Sequence, residues 1–185
     1  MHLTAMEVMT TIADPELVKV IASAVAGDEV AFGRIVAGHE AEMHRICVAI
    51  CRDQATAADA VQAAWAIAWR KLDSVREPER LRPWLVSVAV NETKQLMRKR
   101  HRRSQIEALA TASEPAGGVD PATSIDSVDL DAALARLDPD DRALLAMRYV
   151  AGFDATELSV AIGLSPSGTR TRLERLLARL RQELA

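Results

Sequence analysis

Aromatic side chains are nearly missing from this chain: three Trp, two Phe and one Tyr among 185 residues. Strand-rich folds draw on aromatic and β-branched residues, so this scarcity, beside abundant Ala and Leu, favours helix over strand. Long apolar runs are missing too. No stretch approaches the ~18 consecutive apolar residues of a membrane helix, so no membrane insertion is expected. The opening "MHLTAMEVMTTIADPE" lacks a basic start followed by an apolar stretch. It does not read as a signal peptide, and a cytoplasmic location is expected. Nor is there a G-x-S-x-G, a P-loop or a metal-spaced cluster, which argues against catalysis, a cofactor or a bound metal.

Cysteine is limited to Cys47 and Cys51. Four residues apart on a helix they share a face, and with His44 they give H-x-x-C-x-x-x-C. Three ligands confined to one helix make a poor metal site, and neighbouring turns make a poor disulfide. Ile46, Cys47 and Ile50 fall on one apolar stripe, so free thiols packed in a core are expected.

The net charge of −3 hides its distribution. Residues 1–103 carry 15 Lys/Arg against 13 Asp/Glu, residues 104–141 one against nine, and residues 142–185 seven against four. An acidic connector thus separates two mildly basic blocks. Within the first block "KQLMRKRHRR", residues 94–103, holds six Lys/Arg and no acid. Two basic clusters joined by an acidic segment fit two contact points on one polyanion, although two solvated helix ends would look the same.

Hydrophobic residues make up 49% of the chain, enough for one domain or two small ones. Asp14-Pro15 reads as a helix start, and Leu17, Val18, Ile21 and Val25 follow at helical spacing. Gly27 ends that element and Asp28 caps the next, whose Phe32, Ile35, His39, Met43, Ile46 and Ile50 recur every three or four residues. A third helix runs from about Thr56 to Leu72 with Ala60, Val61, Ala64, Ile67 and Ala68 inward. Residues 73–83 read as a loop. Trp84, Leu85, Val88 and Val90 open a fourth helix that enters the basic cluster, and the four helices should form one bundle. The Pro-Gly-Ser-rich residues 112–127 read as a flexible acidic tether. Leu130, Leu134 and Leu137 begin a second helical unit, with Asp138-Pro139 starting its next helix.

The end of the chain has the most informative local pattern. Leu158 and Ile162 sit four apart, Gly163 stands where a left-handed residue ends a helix, Leu164 reads as an apolar plug, and Ser165-Pro166 restarts the helix. Helix, short Gly turn, helix is the helix-turn-helix plan. In the last helix Leu173, Leu176, Leu177, Leu180 and Leu184 share a narrow arc, and Arg172, Arg175 and Arg179 lie on another. Its first turn, Ser167 to Arg172, carries hydroxyls and arginines suited to phosphates and guanine edges in a major groove. An amphipathic surface helix accounts for the leucines equally well, but not for the preceding short helix and turn. Asp138, Asp140 and Asp141 sit at a helix start and read as cap and dipole complements.

Two segments carry a resemblance. "AGDEVAFGRIVAGHE…AADAVQAAWAIAWRKL…RPWLVSVAVNETKQLMRKRHRR" resembles region two of bacterial RNA polymerase sigma factors, and "LDPDDRALLAMRYVAGFDATELSVAIGLSPSGTRTRLERL" resembles region four. Their order and the short linker resemble the extracytoplasmic-function (ECF) branch. The resemblance implies an all-α chain: a region-two bundle over 14–103, a linker over 104–128 and a region-four helix-turn-helix domain over 129–185. It implies core polymerase as partner, through the β′ clamp helices and the β flap, with Asp59, Val61 and Gln62 as the clamp-binding D-x-V-Q set. It implies promoter DNA as the second partner. Trp84, Asn91, Lys94, Arg98, Lys99 and Arg100 would serve the minus-ten element, with loop 73–82 capturing an unstacked base. Ser167, Thr169, Arg170, Arg172 and Arg175 would serve the minus-thirty-five element. Many members are also held by an anti-sigma factor. The chain departs from the family around the D-x-V-Q stretch, where members usually carry more acids and this chain has Ala58, Ala60, Ala63 and Ala64, at Gly168, where threonine is common, and at Thr169, where valine is common.

The other reading of the same features is a stand-alone helix-turn-helix regulator with residues 1–103 as sensor or dimerisation domain. Such regulators dimerise to read paired half-sites, and no heptad seam is visible.

Overall fold

The computed structural model describes the backbone of residues 15–110 and 125–184, and the side chains of these except 107–110, 125–129 and 131. The Asp14 cap, residues 1–13 and most of the 112–127 tether lie outside the described residues. Every regular element among the described residues is helical. In chain order these are α1 (Pro15–Val25), α2 (Glu29–Cys51), α3 (Gln54–Lys71), α4 (Leu81–Ala110), α5 (Ile125–Arg136), α6 (Pro139–Leu145), α7 (Ala155–Ile162) and α8 (Pro166–Glu183). Two single 3₁₀ turns, Leu72–Ser74 and Pro78–Arg80, punctuate the segment expected as a loop, and a π-turn over Ala146–Val150 extends α6.

Side-chain caps fix where the helices start. Asp28 accepts the Val30 and Ala31 amides, Asp53 the Thr56 amide, and Asp138 the Asp140 and Asp141 amides. Asp154 and Glu157 form a reciprocal capping box at α7, and the Ser165 hydroxyl accepts the Gly168 amide at 3.1 Å. Each such cap contributes about 1 kcal/mol.

The first four helices pack as a bundle around Ile35, Met43, Ile46, Ile50 and Leu85, all nearly inaccessible. The inner face of α3 is largely alanine: Ala57, Ala60, Ala64 and Ala68 are fully buried. Small side chains let α3 approach its neighbours closely. Of the four alanines around the D-x-V-Q stretch, Ala60 and Ala64 are thus core residues. Phe32 packs edge-on against Trp65 and Trp69, with ring centroids at 5.9 and 4.9 Å.

The second half is built on Leu137, Leu144, Met147, Phe153, Leu158, Leu176 and Leu180. It rests directly on the first: α7 packs on α4, and α6 and the π-turn pack on α2. Arg142 donates to the Ile50 carbonyl (2.8 Å) and the Leu137 carbonyl (3.0 Å), placing a cation at the C-terminal end of α2.

Three expectations change. α4 begins at Leu81 rather than Trp84 and runs on through Ala110, so helix continues past the expected boundary at 103. Its basic stretch has no apolar stripe to end it, and no glycine or proline interrupts residues 84–110. Leu164 is 43% exposed and is no plug; the turn is closed instead by left-handed Gly163 and the Ser165 cap.

Candidate nucleic-acid interface

The helix-turn-helix is built as its residues dictate. Gly163 takes φ +72°, and its amide donates to the Ser159 carbonyl at 3.0 Å. This left-handed position would strain any other residue. The chain then turns through Leu164 to the Ser165 cap and Pro166, the first residue of α8. An open groove of about 760 Å³ runs along the start of α8, lined by Ser165, Ser167, Gly168, Thr171, Arg172 and Arg175 with Asp141 at its base. The free amides and positive end of a helix N-terminus favour anions there.

Ser167 and Arg175 are exposed along this edge, and Arg170 is exposed on α8 outside the lining of the groove. Arg172 is half-buried and donates to the Asp141 carboxylate through Nη2 at 2.9 Å. Thr169 is a correction: it is fully buried and faces the domain core, so it cannot touch a base edge. Its Oγ1 has no hydrogen-bond partner. The other fully buried threonine, Thr93, donates to the Ala89 carbonyl at 2.8 Å. The family's usual valine at position 169 was the sequence clue to an inward site. Thr169→Val keeps the shape and removes an unsatisfied hydroxyl, so stability should rise by about 1–2 kcal/mol. Urea midpoints measure this, and an unchanged or lower midpoint would mean the hydroxyl is satisfied.

The second basic face lies on α4. Asn91, Arg98 and Lys99 are exposed, and Trp84 is half-buried against the bundle. Lys94 is paired with Asp140 at 2.7 Å, in a cleft of about 480 Å³ between α4, α6 and α7. Arg100 is tied to Asp53 and Thr56 at the start of α3. Six residues expected to act together on α4 therefore divide: Asn91, Arg98 and Lys99 face outward, Lys94 and Arg100 are engaged by acids, and Trp84 packs inward.

On α3, Asp59 and Gln62 are exposed on the outer side. Val61 is the second correction, to the clamp-binding set alone, since its apolar spacing already places it inward. It is only 3% exposed and belongs to the bundle core, because one residue's step turns a helix by about 100° away from its neighbours' face. Asp59 borders a small cavity shared with Leu96, Lys99, Arg100 and Arg103, so the acidic edge of α3 adjoins the basic end of α4.

Sequence reasoning missed two residues here. Arg82 donates to Glu42 through Nη2 (2.6 Å) and Nε (3.1 Å), to Glu157 at 2.9 Å and to the Ala151 carbonyl at 2.5 Å. Its guanidinium sits 4.5 Å from the Phe153 ring centroid. Asp141 accepts from both Arg172 and Arg179. Burial pushes the Asp141 carboxyl up, but the hydrogen bonds from the two arginines outweigh it and leave it below the ordinary range. Asp140 is held down chiefly by its hydrogen bond from Lys94.

The Asp53 carboxyl, hydrogen-bonded by Thr56 and Arg100, falls to about 2. Its folded value lies below the unfolded value of ~3.9, so its contribution is full above pH ~4 and is lost as pH falls toward 2. Stability should decline across that window, and Asp53→Asn should flatten part of the decline. Urea midpoints at stepped pH test it; identical acid limbs for both proteins would remove Asp53 from the account.

Among the described residues no His/Cys/Asp/Glu group has the arrangement to hold a metal ion. Cys47 is buried, and burial pushes its thiol up to about 11. No helix of the described residues is long and apolar enough to cross a membrane.

Comparison with known proteins matches this geometry. The family model for Sigma-70 region 2 matches residues 35–103, and that for Sigma-70, region 4 matches residues 127–180. The chain is 31% identical over 168 residues to the probable RNA polymerase sigma factor RfaY of Xanthomonas campestris pv. campestris, covering 87% of this chain and 42% of that protein. It therefore spans less than half the length of that relative. It is 26% identical over 164 residues to the ECF RNA polymerase sigma factor SigM of Mycobacterium tuberculosis, covering 88% and 81%. The solved structure of CnrH in complex with the cytosolic domain of CnrY superposes with a TM-score of 0.66 at 24% identity, covering 92% of this chain and 97% of that one. That superposition extends the match to the fold across both halves. With both regions present in order, a bundle ending in a basic helix and a helix-turn-helix behind it, the chain belongs to the sigma-70 family of RNA polymerase sigma factors.

Proposed function

We propose that this chain joins core RNA polymerase and directs initiation at promoters, contributing contacts and no chemistry of its own. The observation that carries the reading is the pair of separate cationic faces, the outer end of α4 and the groove at the start of α8, in one chain that both sigma regions match. In this reading Asp59 and Gln62 meet the β′ clamp helices. Asn91, Arg98 and Lys99 engage the minus-ten element, with Trp84 supporting the helix from within. Lys94 and Arg100 join them once released from their acids. Ser167, Arg170, Arg172 and Arg175 engage the minus-thirty-five duplex. An apolar groove of about 470 Å³ between α5, α6 and α8, lined by Leu130, Leu134, Leu145, Tyr149, Leu177 and Leu180, suits an apolar helix such as one from the β flap. The structural neighbour RpoE was solved in complex with the anti-sigma factor NepR from Bartonella quintana, and CnrH with the cytosolic domain of CnrY, which supports an anti-sigma partner for this chain as well. The site of action is the cytoplasm.

Mixed with bacterial core polymerase, the chain should co-elute with it and make it retain a subset of a random duplex pool. A chain that stays apart from core and alone enriches paired half-sites would be the stand-alone regulator instead.

A further inference from the structure

One buried carboxylate holds two of the arginines of α8. Asp141 lies in the first turn of α6, 8% exposed, with its amide bonded to the Asp138 cap. Its Oδ1 accepts from Arg172 through Nη2 at 2.9 Å and Nε at 3.3 Å, and its Oδ2 accepts from Arg179 at 2.7 Å. Positions 172 and 179 are two helical turns apart and therefore on one face. The two arginines thus share the two oxygens of a single acid on a neighbouring helix. Arg172 uses its Nε and one Nη2 donor on that acid, which leaves the fork of Nη1 and the second Nη2 donor for another acceptor, and Arg172 lines the groove with Ser165, Ser167 and Gly168.

We infer that Asp141 is a positioning residue for duplex reading: it holds Arg172 from beneath and thereby sets the base preference of α8. This rests on the minus-thirty-five reading proposed above. An unheld arginine samples many rotamers and must be ordered on binding, whereas a held one arrives oriented. Orientation decides base choice, because arginine distinguishes guanine by a planar fork to two acceptors. A carboxylate beneath a DNA-binding edge otherwise only weakens attraction to phosphates. The two roles therefore predict opposite results on its removal.

The test uses the full chain bound to core polymerase, selected on a duplex pool randomised over one helical turn upstream of a fixed segment. Wild type should enrich a defined motif. Asp141→Asn should lose about fivefold or more of the preference at one or two of its positions, the lower end of what a bidentate contact supplies. Retention of the unselected pool should stay level or rise, and Asp141→Glu should restore most of the preference. The same motif enriched equally by Asp141→Asn would overturn the inference, as would a uniform gain on every sequence. A wild-type chain that joins core but enriches no motif would instead remove the minus-thirty-five reading itself. A measurement on the unsubstituted chain does not depend on how the variant folds. The Arg172 Nε–H should give a protected resonance in the free protein, and exchange as fast as that of exposed Arg170 would overturn the positioning role.

Discussion

Replacing Arg82 by alanine should lower stability by about 2–3 kcal/mol and loosen the two halves from one another. Arg82 falls in the segment 73–83 expected as a loop, yet it lies in the first turn of α4 and ties four segments together. It holds Glu42 of α2 by two hydrogen bonds, Glu157 of α7 by one and the Ala151 carbonyl by another, with Phe153 beneath it. Removing one partner of a fully buried pair costs about 3–5 kcal/mol, because the other charge is left without compensation. Arg82 is 35% exposed and Glu42 17%, so solvent screens part of that loss and the smaller figure applies. For a chain of this size it corresponds to a fall in Tm of roughly 5–10 °C. Arg82→Lys should recover only part, since an ammonium cannot make the paired contact to Glu42 and reach Glu157 together. Thermal denaturation with small-angle scattering checks both halves of the expectation. An unchanged Tm and radius of gyration would mean that the packing of α7 on α4 needs no ionic tie.

The double replacement Asp59→Ala, Gln62→Ala should weaken association with core polymerase by about 10- to 30-fold, near the effect of one interface hot spot. Both side chains are exposed on the outer face of α3, away from the alanine face that packs the bundle. Folding stability should therefore move by no more than about 0.5 kcal/mol. Duplex binding by the isolated chain should not fall, because the change removes an acid beside the basic end of α4. Titration of labelled protein into core polymerase measures the affinity. An unchanged affinity would take the clamp contact off this edge of α3. Val61, between them in sequence, should show large effects only through stability, since it is a core residue.

Local rules made much of this molecule legible from sequence. Asp28, Asp138 and Ser165 were readable as caps because a cap acts on amides two or three residues away. Gly163 was readable because a left-handed turn admits few other residues. The helix-turn-helix, the four-helix bundle and the two cationic faces followed from such signals together with apolar spacing. Thr169 is misplaced because motif position names a neighbourhood, whereas helical phase says which member of it turns inward. At Val61 the two signals disagree: apolar spacing puts it inward, the motif puts it at the clamp, and spacing is right. The contacts of Arg82, Lys94, Arg100 and Asp141 span 31 to 75 residues in sequence, and no spacing rule reaches that far. The three acids 138, 140 and 141 show the limit most clearly. All were read as serving a helix start; Asp138 does, Asp140 meets Lys94 of the other half, and Asp141 holds two arginines of α8.

Run-off transcription bears most directly on the sigma reading. Purified core polymerase, a library of promoter-length DNA fragments and the full chain are incubated with nucleotides, and the transcripts are sequenced from their 5′ ends. Defined start sites should appear only when the chain is present, preceded by two shared sequence elements at fixed spacing. Transcripts identical to those of core alone, with the chain failing to join the enzyme, would contradict the sigma reading.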